Sequence, residues 1–143
     1  MRELAKSIGI LLIVFVFAAA SSAQKGFVVT ASGLKYKDLE TGTGETAETG
    51  KIAVIHFVAW LDDNGKKGKQ FFNSRVEEKP VAFKIGADIV IPGWNIGVAG
   101  MKVGGKRRLM IPAALGYGSK GAGEVVPPNA DLIFDVELIE VKW

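Results

Sequence analysis

The sequence predicts an α+β domain: an antiparallel sheet of about five to six strands wrapped as a half-barrel around one short helix. Three observations carry this. Several segments alternate apolar and polar residues with a period of two, the strand signature. One stretch alone, Val90-Ile91-Pro92-Gly93-Trp94 through Met101, has an apolar strand-like approach, breaks at Pro-Gly and then places Trp94, Val98 and Met101 at helical spacing. No internal repeat is visible, and 143 residues suit one domain of ordinary size once an N-terminal segment is set aside.

That segment comes first. Arg2 and Lys6 precede an apolar run of 13 residues, Ile8 to Ala20, and Ser21-Ser22-Ala23 offers small residues for cleavage after Ala23. A charged start, an apolar middle and a small-residue exit make a secretory signal peptide. The run falls short of the roughly 20 residues that span a bilayer. Residues 1–23 are therefore expected to be removed, which places the mature chain in a periplasm or the medium with no membrane span. An uncleaved anchor is the alternative. Residues 24–32 are expected to be a flexible lead-in, and the domain to occupy 33–143.

Gly33 to Glu40 alternates and is expected to be a strand. Thr41 to Gly50 holds three glycines and four threonines, a turn and loop. Ile52 to Leu61 is the strongest strand. Ala53, Ile55, Phe57, Ala59 and Leu61 form a wholly apolar face toward the core, with His56 on the other face. Asp62 to Lys69 is a polar turn around Asn64-Gly65, a reverse-turn pair. Phe71-Phe72-Asn73-Ser74 leads back toward the sheet, and Arg75 to Lys79 is a charged loop. Pro80 to Ile85 is a strand with Val81, Phe83 and Ile85 on one face.

The helix follows. Pro92 suits its first turn, where the missing N–H would be an orphan. Gly97 and Gly100 each weaken it by roughly 1 kcal/mol relative to Ala. It must therefore be short and supported by a packed sheet, and its glycines admit another backbone or a ligand. Trp94 then either floors a pocket between helix and sheet or is only a core anchor. Lys106 to Ile111 is a strand with a basic start. Pro112 to Pro128 is a glycine-rich loop of a length that is usually functional. In the last strand Leu132, Phe134, Val136 and Leu138 face inward, while Asp131, Ile133, Asp135 and Glu137 mostly face water.

Composition excludes several chemistries. The chain has no cysteine, so disulfides, thiolate metal sites and a cysteine nucleophile are out. His56 is the sole histidine, which argues against a Ser-His-Asp triad or a multi-histidine metal site. A formal charge of +3 with no long basic run gives nucleic-acid binding little support. No cofactor or metal is called for.

Val90-Ile91-Pro92-Gly93-Trp94…Gly97-Val98-Ala99-Gly100-Met101…Gly104 resembles the signature of FKBP-type peptidyl-prolyl cis-trans isomerases. So do Leu115-Gly116-Tyr117-Gly118, Val126-Pro127-Pro128-Asn129-Ala130 and Leu132 to Leu138, in the family's order. The resemblance spans about Gly33 to Val141. It implies an active site between sheet and helix, with Trp94 as the floor for a prolyl ring. Phe57, Phe72, Phe83 and Phe134 would be aromatic walls, with Val90 and Ile91 beside them. The Ile91 N–H and the Tyr117 hydroxyl would donate to substrate carbonyls, and Val125 and Val126 would line the loop's inner edge.

Two departures stand out. Phe57 replaces the usual tyrosine, and the aspartate that usually follows the wall phenylalanine is missing. If Phe72 is the wall, Asn73 replaces that aspartate and one residue is deleted before Pro80. If Phe71 is the wall, Phe72 takes the acidic position. The first is preferred because it keeps a polar residue and a serine in place. The expected function is isomerisation of X–Pro bonds in exported, folding polypeptides, with macrolides as inhibitors and no partner subunit. A proline-segment-binding chaperone or docking module is the alternative, and a structural envelope protein a weaker third.

Overall fold

The structure, a computed structural model, describes residues 26–143. The signal-peptide reading of residues 1–23 lies outside the described residues. Among the described residues seven strands and one α-helix follow in the order β1 (Val28–Val29), β2 (Lys35–Glu40), β3 (Ile52–Asp63), β4 (Lys66–Asn73), β5 (Val81–Lys84), α1 (Pro92–Val98), β6 (Lys106–Ile111) and β7 (Leu132–Lys142). All pairings are antiparallel, in the sheet order β1-β2-β6-β7-β3-β4, with β5 joined to β3.

Strand β3 is the spine. It pairs with β7 from Ile52↔Lys142 to Leu61↔Leu132. Its other edge is shared: Ile52 to Ile55 pair with β5, and Val58 to Asp63 pair with β4. That division bends the sheet and lets it close over α1. The expected core face is met, since Ala53, Ile55, Phe57 and Ala59 are buried with Leu132, Phe134, Val136 and Leu138 of β7.

Four differences from the sequence reading have physical causes. Val28–Val29, expected in a loose lead-in, adds an edge strand, because Gly33 at φ +95° closes a tight turn from Thr30. The polar turn expected over Asp62 to Lys69 shrinks to Asn64-Gly65, both at positive φ, and the flanking residues extend β3 and β4 as a hairpin. Val90, expected on an apolar strand-like approach, belongs to an irregular segment before the helix. Ile133, expected to face water, is buried on the outer face, in register with Trp60 and Met110.

Helix α1 has seven residues, with Pro92 in its first turn. A helix this short is marginal alone. It is held by close packing on β6: a Cβ at Gly93 would lie 2.7 Å from Ile111 Cδ1, and one at Gly97 would lie 2.6 Å from Leu109 Cδ1. The glycines thus admit the sheet's own side chains. Buried Arg107 of β6 secures the far end, donating from Nη1 to the carbonyls of Gly97 (3.1 Å) and Ala99 (3.3 Å). A cation there complements the negative end of the helix dipole. Asp38 holds the same guanidinium, accepting from Nε at 2.7 Å. At the near end the Asn95 side chain accepts from Gly86 N–H (2.8 Å) and donates to Ala87 O (2.9 Å), tying the preceding turn to the helix.

Candidate active site

The site grows from Trp94, in the first half of α1. Its ring meets Phe57 of β3 edge-on at 4.8 Å, Phe83 of β5 at 5.4 Å and Phe134 of β7 edge-on at 5.7 Å. Each such pair is worth about 0.5–1.5 kcal/mol beyond the area it buries. Alternation on β3, β5 and β7 puts these phenylalanines on the inner face, and the seating of α1 on β6 brings Trp94 among them. Trp94 is only 7% exposed, and its Nε1–H has no hydrogen-bond partner among the described residues.

A cleft of about 490 Å³ stands open over the indole. Asp88, Ile89, Val90, Ile91 and Pro92 border it on one side, Gly116 and Tyr117 on the other. Ile91 is the extended residue that caps α1, and its carbonyl accepts from Trp94 N–H. No backbone carbonyl among the described residues takes the Ile91 N–H. Tyr117 comes from the long loop, which folds into two single turns, Ala113–Leu115 and Gly118–Lys120. That loop is anchored where Asp131 Oδ1 accepts from Ala113 N–H at 2.9 Å and Asn129 N–H donates to Gly118 O at 2.8 Å. Burial pushes the Tyr117 phenol above its ordinary value, so it stays protonated and able to donate.

The structure therefore brings Phe57, Phe83, Trp94 and Phe134 together and sets Val90, Ile91 and Tyr117 along the cleft. Other expected residues fall elsewhere. Val126 is 1% exposed and belongs to the hydrophobic core, whereas Val125 is 47% exposed. Asn73 is turned away: it registers with Val58 on the outer face, and its Oδ1 accepts from Arg75 N–H at 3.0 Å. The preferred alignment, with Asn73 beside the pocket, is corrected accordingly. Phe72 lies opposite Ala59 on the inner face and stacks on Phe57 at 4.9 Å and 17°. Phe71 also points inward, meeting Phe134 edge-on at 6.2 Å. A bulge causes this, because the register shifts between Ala59↔Phe72 and Trp60↔Gln70 and leaves Phe71 as the extra residue.

Phe71, the wall of the alternative alignment, thus joins the inner face, and that alignment needs no deletion before Pro80. Ser74 escaped the sequence reading. It is fully buried, and its Oγ accepts the Phe57 N–H at 2.8 Å and lies 2.8 Å from His56 Nδ1. Its own N–H donates to Phe57 O at 2.9 Å. This clamp fixes the backbone of an inner-face aromatic from the sheet's far side. His56 sits there in a second cleft of about 360 Å³ with Arg75, Lys106, Asp135 and Glu137. Those charges are paired: Arg75 with Glu137, Lys106 with Glu40, and Asp135 with Arg108 and Lys67.

The cleft is bordered by the Trp94 indole, Ile91 and Tyr117, and three phenylalanines pack on the same indole, an arrangement that fits the class of proteins that bind apolar guests. The sequence profile of FKBP-type peptidyl-prolyl cis-trans isomerases matches residues 43–139, and the chain belongs to that family. It is 45% identical over 109 residues to an FK506-binding protein of Neisseria meningitidis serogroup B, covering 76% of this chain and 96% of that one. It is 41% identical over 112 residues to the 46 kDa FK506-binding nuclear protein of Spodoptera frugiperda, covering 78% of this chain but only 26% of that longer protein. Among solved structures, a peptidyl-prolyl cis-trans isomerase from Pseudomonas syringae pv. tomato superposes with a TM-score of 0.73 at 34% identity, covering 90% of each chain. The family indicates peptidyl-prolyl cis-trans isomerase activity, and its FK506-binding members fit macrolide binding.

Proposed function

We propose that this chain accelerates X–Pro rotation in exported polypeptides by sheltering the bond in the Trp94 cleft. The observation that carries the reading is the open cleft floored by Trp94, with Ile91 and Tyr117 on opposite sides. An X–Pro bond resists twisting by roughly 18–20 kcal/mol because amide resonance holds it planar. The planar amide is the more charge-separated form, so water stabilises it. A dry aromatic cleft withholds that solvation and favours the twisted transition state. In this reading Trp94 carries the prolyl ring. Phe57, Phe83 and Phe134 exclude water beside it. The Ile91 N–H and the Tyr117 hydroxyl hold flanking carbonyls in a turn that suits rotation. Val90 borders the substrate, with Val125 at the loop's outer edge.

The test is an isomerisation assay on residues 24–143 with short X–Pro peptides. Acceleration abolished by FK506 supports the proposal, and its absence sinks it. A second reading has a specific motive: Phe57 and Phe72 stand where the family resemblance calls for a hydroxyl and a carboxylate. On that reading the cleft grips proline-containing segments as a chaperone or docking site with little turnover, and the same assay would show binding without acceleration.

The signal-peptide pattern supports export to a periplasm or the medium. Sequencing the mature N-terminus from an expressing bacterium should return Gln24 first. We also propose a monomer, since no dimerisation element was legible in the chain. A sedimentation mass near that of a single chain is the expected result.

A further inference from the structure

We infer that Asp88, on the rim of the Trp94 cleft, makes the protein select X–Pro segments that carry a lysine or arginine near the proline. This deepens the isomerase reading above and rests on it. Of the residues that border the cleft, Asp88 alone is charged. Its side chain enters no ion pair among the described residues. Ile89, the next residue, also borders the cleft and keeps 71% of its surface exposed. A free carboxylate beside a bare apolar side chain matches the two-part chemistry of lysine and arginine, an apolar stem with a cationic head.

The backbone that carries Asp88 is held on both sides. Before it, the Asn95 side chain accepts from Gly86 N–H at 2.8 Å and donates to Ala87 O at 2.9 Å, and Ala87 N–H donates to Lys84 O at 3.3 Å. After it, Ile91 caps the helix. Three residues span at most about 11 Å, so Asp88 lies within that distance of Ile91, where a substrate carbonyl docks. A lysine ammonium stands on the order of 6 Å from its own Cα. A guest residue one or two positions from the proline, on the side held by Ile91, therefore brings its cation to Asp88 and lays its stem on Ile89. The field of the whole chain works the other way, since its formal charge is +3. A preference for basic guests must then come from this rim and not from long-range attraction.

The test uses NMR exchange spectroscopy, which needs no coupling protease, on residues 24–143. Peptides carry Lys, norleucine or Glu at each of the two positions on either side of a single proline. Norleucine keeps the stem of lysine without its charge. At low ionic strength and at one position, the wild type should favour Lys over norleucine by about 2- to 5-fold in kcat/KM, with Glu last. In molar salt that advantage should shrink below about 1.5-fold, because an exposed pair is screened. Asp88→Asn should abolish it, and Asp88→Lys should place Glu first. The salt response of the wild type is a readout that no variant's folding can disturb. Acceleration without a charge ranking, a ranking that salt leaves intact, or one that persists in Asp88→Asn overturns the inference alone. Absence of acceleration on every peptide overturns the isomerase reading and takes this inference with it.

Discussion

Tyr117 illustrates what one hydroxyl contributes. Its phenol borders the cleft, and burial raises its pKa above the usual value of about 10. A single neutral hydrogen bond is worth about 0.5–1.5 kcal/mol net. Tyr117→Phe should therefore weaken peptide binding by about 2- to 10-fold in titrations at pH 7. Wild-type binding should stay level from neutrality to about pH 9, since the donor keeps its proton throughout. Trp94→Leu should act more severely. It removes the ring that meets Phe57, Phe83 and Phe134, and should cost about 2–4 kcal/mol in urea unfolding along with most peptide affinity. Full peptide affinity in that variant would make Trp94 a core anchor only. Trp94, Phe57 and Phe134 were legible because alternation or family resemblance places them. Asn73 was misread because residue type, a polar side chain followed by a serine, decided the alignment. With Phe72 inward, alternation itself turns Asn73 outward, and the bulge at Phe71 brings a second phenylalanine to the inner face. Nothing in Phe71-Phe72-Asn73-Ser74 announces a bulge. Ser74 was equally silent, because its bonds join positions 17 and 18 residues apart.

Among the elements, α1 shows where intrinsic preference loses to packing. Replacing an interior helical glycine by alanine gains about 1 kcal/mol of propensity. At Gly97 the new Cβ would stand 2.6 Å from Leu109 Cδ1, whose side chain is fully buried and has little room to move. Overpacking of that kind costs about 1–3 kcal/mol. Gly97→Ala should therefore destabilise the protein on balance by up to about 2 kcal/mol, visible as a lower urea midpoint with an unchanged slope. A rise in the midpoint would mean that Leu109 yields freely. The sequence disclosed the helix, its proline start and its dependence on support. It left open whether the glycines make room for a guest or for the sheet, and the answer is β6. The role of Arg107 was not legible, since its run reads only as a strand with basic residues at its beginning. Its partners, Asp38 and the last carbonyls of α1, are adjacent only after β2, β6 and α1 have assembled.

At the scale of the molecule, seven strands emerge among the described residues where about five to six were expected, because β1 is only two residues long and the return to β4 read as a turn. The half-barrel itself was foreseen. The outer face of the sheet is laced by Asp135, which accepts from Arg108 Nε at 2.7 Å and Nη2 at 2.9 Å and lies 3.3 Å from Lys67. Burial acts to raise the Asp135 carboxyl, but the Arg108 hydrogen bonds, the Arg108 charge and Lys67 outweigh it and hold the pKa below the ordinary value. A carboxylate lowered in this way stabilises the fold above its unfolded pKa, near 3.9, and loses that contribution as pH falls through the lower folded value. Asp135→Asn should thus cost about 1 kcal/mol at pH 7. The gap to wild type should close in unfolding curves taken stepwise below pH 4. A constant gap down to pH 2 would assign the loss to packing.

The two-ended fastening of α1 has a mechanical consequence. With Asn95 tethered to the turn before it and Arg107 gripping the carbonyls behind, the indole behaves as an anvil. Guests of unequal breadth must then be accommodated by the flanking segments 86–91 and 112–128, leaving the platform unmoved. Amide exchange measured with a slim peptide and with a bulky macrolide should therefore differ across those two segments and coincide along the helix.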